Sequence, residues 1–117
     1  NFIVANDKSI SASAEADLPD DTRQIITNSS NPEAYPISTF TWIIAYKEQN
    51  YNKKTETQAR ALVALFDYVI GKEGQEIAVK THYAPLPAKA LEKTTAIIKS
   101  MTFDGKPIEV AQPVAQN

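Results

Sequence analysis

Residues 35–46 constrain the fold more than any other part of this chain, because their side chains alternate over a long run. Phe40, Trp42, Ile44 and Tyr46 fall at every second position, with Thr, Ile and Ala between them. Period-two spacing of aromatic and β-branched residues predicts a β-strand. The second half is apolar on both faces, as in a strand covered on both sides, whereas the first half carries hydroxyls on both.

This change along the segment predicts a strand that enters from a polar cleft and ends deep in a sheet. We expect Ser38 to be more exposed than Ile43 and Ile44, and those two isoleucines to pack on opposite faces of one sheet. Such a strand needs a helix lying on it. We therefore expect Trp42 and Phe66 to support each other in a core, where Trp42→Ala would cost about 3 to 5 kcal/mol if the site is buried.

Helix signals dominate the second half of the chain. Thr55 and Gln58 match a capping box, and apolar residues at three-and-four spacing predict a helix over 57–70 that ends at Gly71 or Gly74. A shorter helix is expected over Gln75–Lys80. After the extended link Tyr83-Ala84-Pro85-Leu86-Pro87, a last helix runs from about Ala88 to Ser100, and Asp104-Gly105 predicts a turn.

The first third predicts smaller elements. A short strand is expected over 2–5, a small helix over Ser9–Asp17 and a second short strand over Thr22–Thr27. Strands mixed with helices place the chain in the α/β class. Its 117 residues and 43% hydrophobic content suit one ordinary folded domain or a piece of one.

Charge and composition argue against two classes of binding partner, nucleic acid and the membrane interior. Twelve Lys and Arg against fourteen Asp and Glu give a net charge of −2, and the basic residues are scattered, which argues against nucleic acid. The longest apolar stretch, Trp42–Tyr46, is far shorter than the roughly 20 residues that cross a bilayer. The sequence starts without a Met, so we expect any signal peptide to have been removed.

The residues required for catalysis or metal binding are sparse. His82 is the only His and there is no Cys, so neither a metal site nor a nucleophile with its base is expected, and His82 is interpreted as the end of a helix. Gly71-Lys72-Glu73-Gly74 does not match a phosphate-cradling loop. Asp17, Asp20 and Asp21 are interpreted as a solvated acidic turn rather than a calcium loop. We expect no cofactor and no enzyme.

Ser38 and Thr39 are the candidate ligand-binding residues. Together with Thr41 they form a hydroxyl cluster that could donate hydrogen bonds to an oxyanion, although alternation sends Ser38 to one face and Thr39 to the other. The aromatic residues nearby allow two interpretations, a hydrophobic core or a stacking platform for a ligand.

Four motifs occur in an order that resembles a known family. They are Pro32-Glu33-Ala34-Tyr35-Pro36-Ile37-Ser38-Thr39-Phe40-Thr41-Trp42, Leu65-Phe66-Asp67-Tyr68, Tyr83-Ala84-Pro85-Leu86-Pro87 and Asp104-Gly105-Lys106-Pro107. Over roughly residues 1–108 the chain resembles the C-terminal part of the phosphate-binding proteins of bacterial ABC transporters.

The resemblance implies part of a two-lobed periplasmic-binding-protein fold of type II, with short strands, a central crossing strand and C-terminal helices. Residues 1–34 would end the second lobe, 35–46 would cross the hinge, 47–108 would form the C-terminal helical part of the first lobe, and 109–117 would be a loose tail. The implied partners are inorganic phosphate, the N-terminal part of the same protein and the membrane permease. The implied location is the periplasm, or a lipid anchor on the outer face of the cytoplasmic membrane.

The family's phosphate ligands lie in N-terminal and middle portions that this sequence does not contain. No phosphate ligand can therefore be carried onto a numbered residue, and none is expected in this segment. A desolvated phosphate needs many converging donors, preferably with a bidentate arginine, and the only arginines are Arg23 and Arg60. The alternative function is a free-standing protein-interaction or scaffold domain that does not bind phosphate.

Overall fold

The computed structural model describes residues 2–110, which form four helices and one two-stranded antiparallel sheet. In chain order the elements are α1 (Asp7–Ser13), α2 (Glu56–Ile70), α3 (Lys72–Lys80), α4 (Ala88–Lys99), β1 (Thr102–Phe103) and β2 (Lys106–Pro107). The regular secondary structure of the described residues is thus mixed, with helices far outnumbering strands. Of the predicted tail 109–117, residues 111–117 lie outside the described residues.

The capping box of α2 is as the sequence predicts, whereas α3 begins at Lys72, before the predicted Gln75, and has no side-chain cap. The Thr55 hydroxyl accepts from the Gln58 backbone N–H, and the Gln58 side chain accepts from the Thr55 N–H, which confirms the capping box. Gly71 ends α2, and α3 begins immediately after it. The end of α3 is also confirmed near His82, which takes a φ of 65° while the Tyr83 N–H bonds back to the Ala78 carbonyl, as in a Schellman motif.

The first helix begins two residues earlier than predicted. Asn6 accepts from the Ser9 N–H while the Ser9 hydroxyl accepts from the Asn6 N–H, so this reciprocal cap starts α1 at Asp7. The helix also ends earlier, at Ser13 rather than Asp17. Asp104 and Gly105 both have positive φ and form the two-residue turn between β1 and β2, which confirms the predicted turn.

A small apolar core joins α2, α4 and the chain after α4. Val63, Ile98 and Met101 are its buried centre. Partly buried residues that pack against this centre are Leu62, Phe66, Ile70, Ile108 and Val110. The predicted amphipathic faces of α2 and α4 therefore meet in one cluster, while Trp42 is not among its members.

The predicted strands over 2–5, Thr22–Thr27 and 35–46 are wrong for the described residues. None of the three segments is a strand, and β1 and β2 are the only strands within residues 2–110. A strand is stable only when a neighbour accepts and donates its backbone hydrogen bonds. The residues described here offer no such neighbour to these three segments.

The exposure predicted along 35–46 is also wrong, and in fact reversed. Ser38 is buried, with 4% of its surface exposed, whereas Ile43 is 65% and Ile44 95% exposed. Tyr46 contacts the Tyr51 ring at 4.8 Å, but without a sheet on either side the apolar half is only partly covered. Trp42 is 44% exposed, so the buried site on which the large predicted cost of Trp42→Ala depended is not present.

The chain is more extended than a compact single domain of the same length. Its radius of gyration is 16.4 Å, against about 13 Å for a single domain of this size. Its accessible surface is 8925 Å², against about 6,300 Å² expected for a folded monomer of this length. Both values are larger than those of a compact single domain of the same length.

Candidate interaction surface

The most unusual surface of the molecule is the run Phe40–Tyr46, which we call the open segment. It joins the α1 region to the helical part of the chain and contains seven residues without a charge. Its large side chains at Ile43, Ile44 and Tyr46 are 65%, 95% and 70% exposed. A contiguous set of exposed large apolar residues marks a surface that normally contacts something else.

The backbone of the open segment is unpaired as well. Within residues 2–110, no backbone-to-backbone hydrogen bond involves an N–H or C=O group of Phe40–Tyr46. None of these residues has a positive φ. The Phe40 carbonyl accepts from the Thr39 hydroxyl and the Tyr46 carbonyl from the Gln49 side chain, so within residues 2–110 it is residues 41–45 whose backbone N–H and C=O groups are both without a hydrogen bond.

A buried pair of serines holds the chain just before the open segment. The Ser38 hydroxyl donates to the Tyr35 carbonyl at 2.8 Å, and the Ser13 hydroxyl oxygen lies 3.0 Å from that of Ser38. The Tyr35 N–H also donates to the Ser9 carbonyl at 2.8 Å. These contacts attach the start of the open segment to α1 and explain why Ser38 is buried.

The two candidate ligand residues are not brought together. Ser38 is occupied by its contacts with Ser13 and Tyr35, while Thr39 is exposed and its hydroxyl donates to the carbonyl of the next residue at 3.3 Å. A ligand site needs donors that converge on one point. The described geometry instead gives Ser38 a structural contact with α1.

The end of the open segment is attached to the β1–β2 hairpin. The Gln49 N–H donates to the Thr102 carbonyl at 2.7 Å, and the Thr102 N–H donates to the Lys47 carbonyl at 2.9 Å, which forms a parallel bridge beside Glu48. The Glu48 carboxylate then accepts from the Thr102 hydroxyl at 2.8 Å and from the Asp104 and Gly105 N–H groups at 3.0 Å each. The Glu48 carboxylate thus holds the β1–β2 turn against the segment that follows the open segment.

These donors stabilise the ionised form of Glu48. The Asn50 N–H, the Gly105 N–H, the Thr102 hydroxyl and the Asp104 N–H together lower the pKa of Glu48 from 4.5 to about 2. A carboxyl group with a lower pKa in the folded state adds stability above its unfolded pKa. That contribution is lost as pH falls from about 4.5 to about 2.

Glu48→Gln is therefore expected to lower the melting temperature at pH 7 and to flatten its decline between about pH 4.5 and pH 2, the window of the Glu48 pKa shift. Calorimetric melting temperatures across that range check it. Glu33→Gln, which changes an exposed carboxylate elsewhere, is the matched control. Parallel pH profiles of Glu48→Gln and the unchanged chain would contradict the assignment.

An apolar cavity of about 290 Å³ lies behind the open segment. Phe40 and Trp42 line one part of it, with their rings edge to face at 5.9 Å, and Phe66 lines another. The Trp42 indole N–H donates to the Thr22 carbonyl at 3.1 Å. Trp42 and Phe66 thus face one cavity, instead of the filled core that the sequence predicted.

Several charged groups elsewhere form ion pairs with each other. Arg23 pairs with Asp21 at 2.6 Å, and Arg60 pairs with Glu56 at 2.7 Å while donating to the Glu109 carbonyl. Lys89 lowers the pKa of Asp17, chiefly through its hydrogen bond at 2.8 Å.

Lys93 similarly lowers the pKa of Asp20 through a hydrogen bond between the two side chains. In residues 2–110 no group of three or more His, Cys, Asp or Glu side chains could hold a metal ion. The acidic turn instead pairs with α4.

Sequence reasoning missed Glu48 and Gln49. Gln49 is fully buried, and its side chain donates to the Tyr46 carbonyl and accepts from the Lys54 ammonium group. The donors to Glu48 include residues 54 to 57 positions away, so no local spacing signals this contact. The Asp104-Gly105 turn was visible in the sequence, but the residue that closes it was not.

Comparisons with known proteins returned no match from family models, curated proteins or solved structures. Among residues 2–110, none of the helices combines the length and the apolar character needed to cross a bilayer.

Proposed function

We propose that this chain is the C-terminal part of the phosphate-binding component of an ABC importer, which captures phosphate and delivers it to a membrane permease in the intact protein. The observation that supports the proposal is the order of the four family-like motifs between residues 32 and 107. The second half of 35–46 has the aromatic and β-branched composition of a central strand but is exposed in this chain, which counts against the proposal unless strands on either side cover it in the intact protein. The rest of the same protein would supply those strands.

The excess of accessible surface supports the same proposal. A complete domain of this length would expose about 6,300 Å², and this chain exposes 8925 Å². The cavity lined by Phe40, Trp42 and Phe66 would be filled when the open segment enters a sheet. Covering this area by a further part of the polypeptide accounts for both features.

Phosphate capture would then depend on residues outside this sequence. Arg23 and Arg60, the chain's only arginines, are both held by carboxylates, and Ser38 is held by α1. A phosphate anion needs several donors aimed at one point, with a guanidinium that is free to bind it in bidentate fashion. We therefore assign this chain the role of completing the lobe that carries the site.

The test compares this chain with the protein encoded by the uninterrupted reading frame that contains it. Isothermal titration with inorganic phosphate is expected to show no binding in the micromolar range for the 117-residue chain and tight binding for the longer protein. A frame that adds no further domain, or a longer protein that does not bind phosphate, would contradict the proposal and favour the free-standing interaction domain.

Micromolar binding by the 117-residue chain alone would contradict the assignment of the phosphate ligands to residues outside it. Ser38→Ala and Thr39→Ala would then be titrated in turn, since these are the candidate ligand residues that directly precede the open segment. Their melting temperatures would be measured in parallel, because Ser38 also bonds to the α1 region.

A further inference from the structure

The apolar cavity behind the open segment is bordered by residues 17–22, which we call the strap. Leu18 and Thr22 of the strap line the cavity beside Trp42. Within residues 2–110 the strap makes one backbone-to-backbone hydrogen bond, and it is internal, from the Thr22 N–H to the Pro19 carbonyl at 2.9 Å. The position of the strap at the cavity therefore depends on contacts made by side chains.

Two ion pairs attach the strap to α4, whose residues line another part of the same cavity. The Lys89 ammonium group lies 2.8 Å from the Asp17 carboxylate, and the Lys93 ammonium group lies 2.5 Å from the Asp20 carboxylate. Because Lys89 and Lys93 are four residues apart, they lie on one face of the helix, one turn from each other. The strap is thus held at two points along α4.

A third contact joins the strap to the open segment. The Trp42 indole N–H donates to the Thr22 carbonyl at 3.1 Å. Thr22 has a φ of 58°, a left-handed conformation that is strained for a β-branched residue. Such strain persists only where surrounding contacts hold the residue, so Thr22 would leave this conformation if the contacts of the strap were lost.

We propose that the strap is a salt-sensitive lid on the apolar cavity, closed while both ion pairs with α4 are made and released when they are screened. The Asp17 and Asp20 side chains are 93% and 102% exposed, so dissolved ions reach both pairs. Release withdraws Leu18 from the cavity and frees the Trp42 indole. Access of solvent to the cavity therefore depends on ionic strength.

The charges around the strap support this arrangement. The pKa of Lys89 is raised chiefly by its hydrogen bond with Asp17, with a smaller contribution from Glu15. The third carboxylate of the strap, Asp21, pairs with Arg23 at 2.6 Å and so is occupied next to the strap itself. The two remaining carboxylates of the strap are the ones that pair with α4.

The inference goes beyond the phosphate proposal and does not rest on it. Each contact that holds the strap joins two described residues of this chain, and none of these residues is a candidate phosphate ligand. Phosphate titration of the longer protein and release of the strap in this chain are measured separately. Either result can fail while the other holds.

Trp42 is the only tryptophan in the chain, so its fluorescence reports on the strap. Raising the salt concentration from about 0.01 M to about 1 M shortens the Debye length from about 30 Å to about 3 Å. We expect acrylamide, a neutral quencher, to quench Trp42 about twofold more strongly at high salt, while the helical circular dichroism stays the same. Quenching that does not change with salt, or that rises only with loss of helix, would overturn the proposal.

The double variant Lys89→Met and Lys93→Met removes both ion pairs and keeps the aliphatic part of each side chain. We expect it to show at low salt the stronger quenching that the unchanged chain shows at high salt, and to respond little to further salt. The matched control is Lys72→Met with Lys80→Met, which removes the same charge from exposed positions on α3. Equal quenching of the two double variants would contradict the role of the ion pairs.

Reversing one ion pair tests whether the contact itself holds the strap. Lys93→Glu places a carboxylate against Asp20 and is expected to raise Trp42 quenching at low salt. Adding Asp20→Lys restores an opposite pair and is expected to recover most of the protection. A reversed pair that is quenched as strongly as Lys93→Glu alone would show that the contact with α4 does not close the strap.

Discussion

Replacing Gly74 with alanine is expected to destabilise the chain by about 1 to 3 kcal/mol, although alanine is the better helix former. Gly74 lies in the first turn of α3, where the helix passes the end of α2. A Cβ at this position would overlap the Tyr68 and Val69 carbonyl oxygens and come within 2.8 Å of the Val69 carbonyl carbon. These are backbone atoms, so α2 and α3 would have to move apart.

Urea unfolding followed by circular dichroism measures the effect of Gly74→Ala. Glu73→Ala is the matched control, because it adds alanine to the same turn at an exposed position. The control is expected to change the free energy of unfolding by less than about 0.5 kcal/mol. A Gly74→Ala chain as stable as the control would show that α2 and α3 do not approach so closely.

Ile98→Ala is expected to cost about 2 to 5 kcal/mol, because it opens a cavity at the centre of the small core. Ile98 is 5% exposed and packs with Val63 and Met101. The neighbouring Ile97 is 37% exposed, which makes Ile97→Ala a control of the same chemistry on the same helix.

The control is expected to cost less, since its side chain is already partly in solvent. Urea unfolding of the two variants gives both free energies. Equal losses, or a larger loss for Ile97→Ala, would contradict the position of the core.

The helices could be predicted because their signals are local. The Thr55 and Gln58 side chains each accept a hydrogen bond from the other residue's backbone N–H, and both residues lie within one helical turn. At the other end, Gly71 caps α2 by donating its own N–H to carbonyls of the last turn. The turn at Asp104-Gly105 is equally local. An element can therefore be predicted from the sequence when the contacts that stabilise it join residues close together in the chain.

The segment 35–46 could not be predicted in the same way. Its alternation describes what the side chains would do inside a sheet, but a strand exists only when a neighbour pairs with it. The burial of Ser38 depends on Ser13, 25 residues earlier, and the Glu48 contacts depend on a turn more than 50 residues later. No pattern within the segment could have shown either contact.

The two attachments of the open segment also limit the conformational entropy that the segment loses when another strand pairs with it. Ser38 is held by α1, and Lys47 and Gln49 are held by Thr102, so only the residues between them have to become ordered when a strand arrives. Ordering one residue costs about 1 to 2 kcal/mol, and each position already fixed removes that cost from pairing. An incoming strand therefore meets a span whose two ends are already fixed, so the ordering cost falls on the residues between them alone.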